Sequence, residues 1–324
     1  MTETIIVARA EPGLLPHFPD IVKLADGRLL AVYREGAGHV ESDGRIRLTE
    51  STDAGSTWSP PRTVVDGRFD DRDPKIAELG DGTVLLTWFV LDWAAGAGHR
   101  ALGTYSSRSA DAGRTWSEPL IVGPSWAVSH GAVVPVDGGD VLAPLYGRPP
   151  GSRCEQALVV RSKDGGRTWQ GAEPVTVAAA DDIDFQEPTL TTIGPEIIAL
   201  IRTTAGYAYL SRSHDGGHTW DTPTRTDMPA SSHHALLLAS GEVLVTYGDL
   251  TPRFSAHRDT AGRIVTDPHG TWDGHPDVPV YDSGHPDQAN PSSAEVAPGR
   301  FLTLGFDVPA ATVVGVFTTR ADYR

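Results

Sequence analysis

Apolar residues recur along the chain in paired short runs, and each pair is joined by a tight turn. One pair reads "TLTTIGPEIIALI" over residues 189–201, with a Gly-Pro turn between two runs rich in Ile, Leu and Thr. Runs of this length and composition, bounded by glycine, predict two antiparallel strands joined as a hairpin. The pattern therefore predicts an all-β chain. Six such pairs occupy residues 18–34, 72–89, 130–148, 186–202, 233–249 and 290–307.

A second repeat lies between the hairpins. Four near-copies of the octapeptide S-x-D-x-G-x-T-W stand at residues 51–58, 109–116, 162–169 and 213–220, and we assign a degenerate copy to "HRDTAGRIV" around Asp259. The aspartate can cap backbone N–H groups, the glycine supplies a positive φ, and the tryptophan packs between neighbouring sheets. Because the motif recurs in most of the units, we interpret it as a structural turn rather than a calcium-binding or catalytic site.

Together the two repeats predict a six-bladed β-propeller. A repeat of about 50 residues fits one four-stranded blade, and six hairpins predict six blades. Either "TIIVARA" near the N-terminus or "TVVGVFTTR" near the C-terminus would close the ring. We expect residues 1–324 to form a single domain.

Propeller topology predicts which residues share a face. If strand A is innermost, the start of A, the end of B and the B–C loop all lie on one face, which we call the top face. The octapeptide turns between strands C and D then lie on the opposite face. Polar candidates on the top face are Asp73, His130 and Glu187 at the starts of strand A; Arg34, Tyr146 and Arg202 at the ends of strand B; and His39, Asp43 and Arg253 in B–C loops.

The net negative charge of the chain makes arginines on the top face a signal for ligand binding. With 42 acidic and 27 basic residues, the net charge is −15. Such a balance argues against nucleic-acid or anionic-membrane partners, which need clustered Lys and Arg. Arginines gathered at one axial mouth of an acidic protein are suited to binding a carboxylate. The alternatives are ordinary rim ion pairs for Arg34 and Arg253, and a structural pair between Arg202 and Glu187.

Metal, cofactor and membrane signals are weak in this sequence. Cys154 is the single cysteine, so neither an intrachain disulfide nor a cysteine metal cluster can form. His130, His233 and His234 come from two blades, but their spacing matches no known zinc motif. We predict no metal and no cofactor. The N-terminus lacks a signal-peptide pattern and no apolar run is long enough to span a membrane, so we expect a cytoplasmic protein.

The order of these motifs resembles the sialidase (neuraminidase) superfamily of Asp-box, or BNR-repeat, six-bladed propellers. "RDPKI" resembles the Asp-Pro of the family's second blade, and "EPTLTTIGPEIIALIR" resembles the hairpin with its catalytic glutamate and second arginine. "PRFSAHRDTAG" stands where the third arginine is expected. The resemblance implies that Asp73 contacts a sugar hydroxyl, that Glu187 is catalytic, and that Arg202 and Arg253 bind a carboxylate. It also places Asp43 near the acid/base aspartate.

Two segments depart from the family pattern. "PHFPDI" puts His17 or Phe18 where the first arginine is expected, and "DQANPSSAEV" puts Asn290 and Pro291 where the tyrosine nucleophile is expected. An asparagine has no ionisable oxygen and cannot replace that nucleophile.

We first predict an exo-acting glycoside hydrolase that acts on an acidic sugar. In this hypothesis Arg202 and Arg253 hold the carboxylate, Asp43 is the general acid, and Glu187 is the base or nucleophile. A pair of carboxylates is sufficient for this chemistry. The predicted partner is therefore a carbohydrate.

Two alternatives remain open. A polysaccharide lyase that cleaves beside a uronic acid would use the arginines to neutralise the carboxylate, with His39, His130 or Tyr146 as base or acid. A propeller that binds carbohydrate without catalysis would need only the recognition residues.

Overall fold

The computed structural model describes residues 3–93, 98–169 and 173–324, and it confirms the predicted all-β propeller. Six antiparallel sheets follow one another along the chain, and each sheet is one blade. Neighbouring blades contact one another in sequence, and the inner strand of blade 6 contacts that of blade 1, so the ring closes. Among the described residues, no helix is long and apolar enough to cross a membrane.

The strands are numbered in chain order, and β1 Glu3–Arg9 comes before the first complete blade. Blade 1 contains β2 Leu15–Lys23, β3 Leu29–Gly36, β4 Arg45–Ser51 and β5 Arg62–Val65. Blade 2 contains β6 Asp70–Glu78, β7 Val84–Asp92, β8 Arg100–Ser109 and β9 Leu120–Val122. Blade 3 contains β10 Ala127–Ser129, β11 Val134–Pro135, β12 Val141–Gly147, β13 Gln156–Ser162 and β14 Val175–Ala178.

Blade 4 contains β15 Phe185–Ile193, β16 Glu196–Thr203, β17 Tyr207–Ser213 and β18 Thr224–Pro229. Blade 5 contains β19 His233–Leu237, β20 Val243–Asp249, β21 Asp259–Val265 and β22 Val278–Tyr281. Blade 6 contains β23 Ser292–Ala297, β24 Arg300–Asp307 and β25 Thr312–Thr319. Single 3-10 turns occur at Asp137–Gly139 and Arg320–Asp322.

Both ends of the chain take part in closing the ring. Strand β25 is the third strand of blade 6, and β1 pairs antiparallel with it in a register that sets Glu3 opposite Phe317. The N-terminal segment therefore supplies the outermost strand of the last blade. This arrangement hydrogen-bonds the first strand of the chain to the last one.

The core lies between the blades, where each sheet packs against its two neighbours. All residues of β3 and β7 are buried, since neighbouring blades cover both faces of these strands. This double burial explains why the strands read as continuous apolar runs instead of alternating ones. The tryptophan of one octapeptide joins two blades directly, because Trp169 Nε1 donates to Ser106 Oγ at 2.9 Å.

The octapeptides form the turns between strands C and D, on the face opposite the strand-A starts. In the third copy, the Asp164 carboxylate accepts hydrogen bonds from Ser162 Oγ at 2.7 Å, from the Thr168 N–H at 2.9 Å and from Thr168 Oγ1 at 2.7 Å. The Gly166 N–H donates to Ser162 Oγ at 2.8 Å. The other three copies repeat these contacts. Each motif thus provides hydrogen-bond partners for the polar groups of its own turn.

The degenerate copy was assigned wrongly. Asp259 begins β21 and is not in a turn between strands C and D. In blade 5 that turn carries "TDPHGTW", where Asp267 Oδ1 accepts from the His269 N–H and Trp272 Nε1 donates to the Pro268 carbonyl. His269 replaces the central glycine of the motif, which disguises this copy.

We expect Asp164→Ala to lower the free energy of unfolding by about 1–2 kcal/mol, because three hydrogen bonds to the carboxylate are lost. Partial burial raises the pKa of Asp164, but these bonds outweigh it and lower the pKa to about 2 from an ordinary 3.8. The stabilisation is therefore complete above the ordinary pKa and is lost as the pH falls toward about 2. Urea denaturation at several pH values measures both effects.

The exposed neighbour Lys163 provides the matched control for this substitution. Lys163→Ala should leave the unfolding midpoint unchanged. Equal loss of stability in both variants would show that the octapeptide carboxylate does not hold the turn.

Candidate active site

The starts of the inner strands open onto one cavity of about 530 Å³, which we call the axial cavity. All six blades contribute to its wall, so the cavity exists only in the closed ring. Its polar and aromatic lining comprises Phe18 and His39 of blade 1; Arg72, Asp73, Trp93 and His99 of blade 2; Trp126, Tyr146, Arg148 and Glu155 of blade 3; Glu187 and Arg202 of blade 4; Ser232 and Arg258 of blade 5; and Asn290 of blade 6.

Four of these residues share an unusual backbone. Phe18, Asp73, Glu187 and Asn290 each precede a proline and have φ values of 54°, 47°, 48° and 68°. The strand register shifts at the first three positions. A positive φ outside glycine costs roughly 1–3 kcal/mol, and proline leaves the ladder one donor short. These bulges place four side chains in the wall of one cavity.

Glu187 is held by charge and hydrogen bonds. Arg202 Nη1 donates to its Oε1 at 2.8 Å, and Ser232 Oγ donates to its Oε2 at 2.6 Å. Burial alone would raise the pKa of Glu187, but His130, Arg202 and the Ser232 hydroxyl lower it to about 2. Glu187 is therefore ionised at neutral pH. It can accept a proton or stabilise positive charge, but it is not a proton donor.

His130 does not line the axial cavity, contrary to the prediction, but borders a much smaller cavity that also includes Asn290 in its wall, and it lies between two carboxylates. Its Nε2 is 4.0 Å from Glu187 Oε2, and its Nδ1 is 3.8 Å from Asp73 Oδ1. Burial lowers the pKa of His130. Within the described part of the chain, neither His130 Nδ1 nor Asp73 Oδ1 has a hydrogen-bond partner. Buried polar atoms are normally paired, so these two are suited to a ligand or an ordered water molecule.

Tyr146 also borders the axial cavity, as predicted, and it is only partly exposed. Burial raises its pKa well above the ordinary value, and the negative charge of Glu187 adds to this effect. Tyr146 therefore remains a neutral hydroxyl that can donate a hydrogen bond.

Two arginines that the sequence reasoning missed reach the axial cavity beside Arg202. Arg72 Nη1 donates to the His39 carbonyl at 2.6 Å and to Asp70 Oδ2 at 2.9 Å. Arg258 Nη2 donates to Ser232 Oγ at 3.1 Å, and its Nε has no partner among the described residues. Arg72 directly precedes the Asp-Pro pair, which was the available signal for it.

Arg253 does not line the axial cavity, contrary to the prediction. It donates to Asp277 Oδ2 at 2.6 Å and to the Tyr247 hydroxyl at 2.8 Å, and it also pairs with Asp249. Arg258, which comes later in the same "PRFSAHRDTAG" segment, lines the cavity instead. The path of the loop before β21 decides between them, and no periodicity encodes that path.

Arg34 and Asp43 also fall outside the axial cavity. Arg34 is fully buried, and its Nε donates to Asp70 Oδ1 at 2.7 Å. Asp70 in turn binds Arg72, so Arg34 contributes to the site only from behind its wall. Asp43 is exposed on the loop after β3 and does not border the cavity. His39, on the same loop, does.

His39 is part of a small cluster with His17 and Asp287. Its Nδ1 is 2.9 Å from Asp287 Oδ1, and His17 Nε2 is 3.3 Å from Asp287 Oδ2. The potential ligand atoms of these three side chains lie within 4.8 Å of one another, close enough for a small cation. One ring nitrogen of each histidine, His39 Nδ1 and His17 Nε2, already lies at hydrogen-bond distance from the Asp287 carboxylate. The predicted absence of a metal remains a prediction.

Comparison with known proteins places this geometry in a family. The profile of the BNR repeat-like domain matches residues 27–273, and the chain belongs to that family as a propeller of the sialidase superfamily. It is 25% identical over 275 residues to a sialidase from Micromonospora viridifaciens, an alignment that covers 73% of this chain and 41% of the sialidase. A xyloglucanase from a Paenibacillus species is 27% identical over 192 residues, with coverage of 53% and 18% respectively.

The chain therefore spans less than half the length of these two relatives. Among solved structures, a protein of unknown function from Dyadobacter fermentans superposes with a TM-score of 0.84 and 23% identity, covering 98% of both chains. That likeness shows the fold. The relatives indicate a propeller of the glycoside-hydrolase type, whereas the reaction and substrate of this chain must be argued from its own site.

The backbone strain at the cavity wall makes a measurable difference between two variants. We expect Asn290→Gly to be more stable to unfolding than Asn290→Ala by about 1–2 kcal/mol, because only the Ala Cβ is strained at a φ of 68°. Both variants remove the amide, so thermal or urea denaturation of the pair isolates the backbone contribution. Equal stabilities would contradict the assigned conformation.

Proposed function

We propose that the chain is an exo-acting glycoside hydrolase for a sugar that carries a carboxylate. The observation that carries this proposal is the meeting of Arg72, Arg202 and Arg258 with ionised Glu187 in one axial cavity. These arginines are gathered around one small volume in a protein whose net charge is −15. Guanidinium groups bind carboxylates through paired N–H donors.

The arginines keep donors available for a ligand. Arg202 contacts Glu187 through Nη1, and Arg258 contacts the Ser231 and Ser232 hydroxyls through Nη2. Arg72 lies over the rings of Phe18 and Trp93, at 4.9 Å and 5.6 Å from their centroids. This stacking fixes the plane of its guanidinium group. A carboxylate that enters the cavity would meet positioned cations without displacing Glu187.

The rest of the axial cavity suits a single sugar ring. Trp93, Trp126 and Phe18 supply aromatic surface, while Asp73 and Tyr146 offer polar atoms for hydroxyl groups. A cavity of about 530 Å³ has room for a single sugar ring and favours the terminal residue of a glycan over the interior of a long one. Relatives that are named sialidase and xyloglucanase support a carbohydrate substrate.

Glu187 has the protonation state of a base or nucleophile. Its low pKa keeps the carboxylate ionised, and Arg202 and Ser232 fix both oxygens. It can stabilise positive charge at the anomeric carbon or activate water. Asn290 lines the cavity at the start of blade 6 and offers no nucleophile, so Glu187 must perform this role without a tyrosine there.

Aryl glycosides of nonulosonic and hexuronic acids provide the direct test. We expect the unmodified protein to release the aryl alcohol from one of them and Glu187→Gln to lose most of that activity. Arg258→Met should lower kcat/KM by about 10–100-fold, because charge-assisted hydrogen bonds to the carboxylate are lost.

Arg253→Met is the matched control, since Arg253 belongs to the same loop but does not line the axial cavity. It should retain the kcat/KM of the unmodified protein. A larger loss in Arg253→Met than in Arg258→Met would contradict the assignment of the carboxylate site.

A lyase that acts beside a uronic acid is the second candidate. It is favoured by the neutral hydroxyl of Tyr146 near Glu187 and by His130 between two carboxylates, while Asp43 is outside the axial cavity. Arginines that neutralise a uronate would make the adjacent proton more acidic.

Product analysis separates the two reactions. Elimination leaves a conjugated double bond that absorbs ultraviolet light, whereas hydrolysis gives reducing ends without that absorbance. Uronate-containing polysaccharides incubated with the unmodified protein should yield reducing ends alone if the hydrolase proposal is correct. Sugar binding without any product would instead identify a carbohydrate-binding propeller.

A further inference from the structure

The axial cavity has an ionised carboxylate but still needs a proton donor for a departing sugar. Glu187 cannot serve, because Arg202 and Ser232 donate to its two oxygens and its pKa is lowered to about 2. Asp43, the sequence-based candidate, is exposed and does not border the cavity. The loop after β3 nevertheless brings another proton-carrying group to the wall, because His39 on that loop lines the cavity.

His39 is oriented by a carboxylate from a different part of the ring. Its Nδ1 lies 2.9 Å from Oδ1 of Asp287, a residue of the connection from blade 5 to blade 6. With Nδ1–H donated to Asp287, the remaining ring nitrogen, Nε2, is free to exchange a proton with a ligand. The side chain is 40% exposed and borders the cavity, so a ligand can reach it.

Asp287 is itself fixed from the opposite side. His17 Nε2 lies 3.3 Å from Asp287 Oδ2, and the His17 ring is completely buried against Phe18 and Phe306. Burial raises the pKa of Asp287, but hydrogen bonds from His17 and His39 more than offset this and lower it. The carboxylate therefore stays ionised and can support positive charge on His39.

The packing around His39 restricts the ring further. Phe18 meets it edge to face at a centroid distance of 5.0 Å, and His17 meets it in the same way at 5.3 Å. Arg72 binds the backbone carbonyl of His39 at 2.6 Å. A loop residue that is held at its backbone, ring face and Nδ1 has the positional order expected of a catalytic group.

The ring places His39 and Glu187 on opposite walls. His39 belongs to blade 1 and Glu187 to blade 4, which face each other across the axis of a six-bladed ring. Proton transfer to a leaving group and stabilisation at the anomeric carbon are required on different sides of the sugar.

We infer that His39 is the general acid of this site and that Asp287 is its positioning residue. The inference rests on the proposed hydrolase function. As the glycosidic C–O bond breaks, its electron pair goes to the leaving-group oxygen, which takes the proton from His39 Nε2. Water then supplies the oxygen that joins the anomeric carbon, and the proton released from that water returns to Nε2.

The dependence on the leaving group tests this inference. The probes are the methyl and the 4-nitrophenyl glycoside of the acidic sugar that the unmodified protein hydrolyses. Nitrophenolate departs without protonation, whereas methoxide requires it. We expect His39→Gln to lower kcat/KM for the methyl glycoside by about 100–10,000-fold and to leave that of the nitrophenyl glycoside within about 10-fold, because kcat/KM reports cleavage of the glycosidic bond and not the later attack of water.

Asp287→Asn should reproduce this selective loss at smaller size, by about 10-fold or more on the methyl glycoside, because the amide no longer enforces the Nδ1–H tautomer or stabilises the imidazolium. KM for both probes should change little. A purely structural role for Asp287 would instead lower the turnover of both glycosides equally. Asp43→Asn is the control on the same loop and should behave like the unmodified protein.

Three results would overturn the inference. Equal loss of kcat/KM for both probes in His39→Gln shows that His39 is not the acid, and selective loss in Asp43→Asn transfers that role to Asp43. Loss of activity on chelation, with recovery on adding Zn²⁺, assigns His17, His39 and Asp287 to a cation instead. Turnover of neither probe by the unmodified protein overturns the proposed function itself, which distinguishes that failure from the other three.

Discussion

A positive φ before proline, at the start of an inner strand, is the constraint on which the axial cavity depends. Phe18, Asp73, Glu187 and Asn290 all adopt it, and all four line the cavity. A regular strand would send alternate side chains to opposite faces, into the contacts between blades. The bulge breaks that alternation, while the rest of each strand packs against the two neighbouring blades. Packing of the whole ring therefore maintains the local strain, and the site cannot form in an isolated blade.

The same constraint places Arg72 in the wall of the cavity. Arg72 reaches the wall because it directly precedes a bulged residue, and Asp70, which binds it, is also bound by the fully buried Arg34. Arg202 is neutralised by Glu187. Buried charges are costly unless they are paired, and Arg72 and Arg202 are each paired with a carboxylate, whereas Arg258 donates to the Ser231 and Ser232 hydroxyls. Arg34 does not border the cavity, but the position of Arg72 depends on it through Asp70.

The sequence was sufficient for the fold, because every blade repeats the same folding solution and periodicity reveals it. Strand-borne site residues such as Glu187 and Arg202 were predictable for the same reason, since hairpin topology fixes where a strand starts and ends. Loop residues were less predictable. His39 was predicted and lines the cavity, but Arg253 was chosen where Arg258 lines it, and Asp43 on the same loop as His39 does not border it. Arg72 was missed because two consecutive residues face one cavity only at a bulge, which alternation does not predict.

The site residues on strands and those on loops are held in position by different interactions. Glu187 is carried by a strand that two neighbouring blades bury, and two hydrogen bonds complete its placement. His39 has no such scaffold, and contacts from outside its loop hold it: Asp287 at Nδ1, Phe18 at the ring and Arg72 at the backbone carbonyl. These contacts come from the blade 5 to blade 6 connection, blade 1 and blade 2. A change in any of these elements would alter the position of His39 first, while Glu187 kept its place on a strand that neighbouring blades bury.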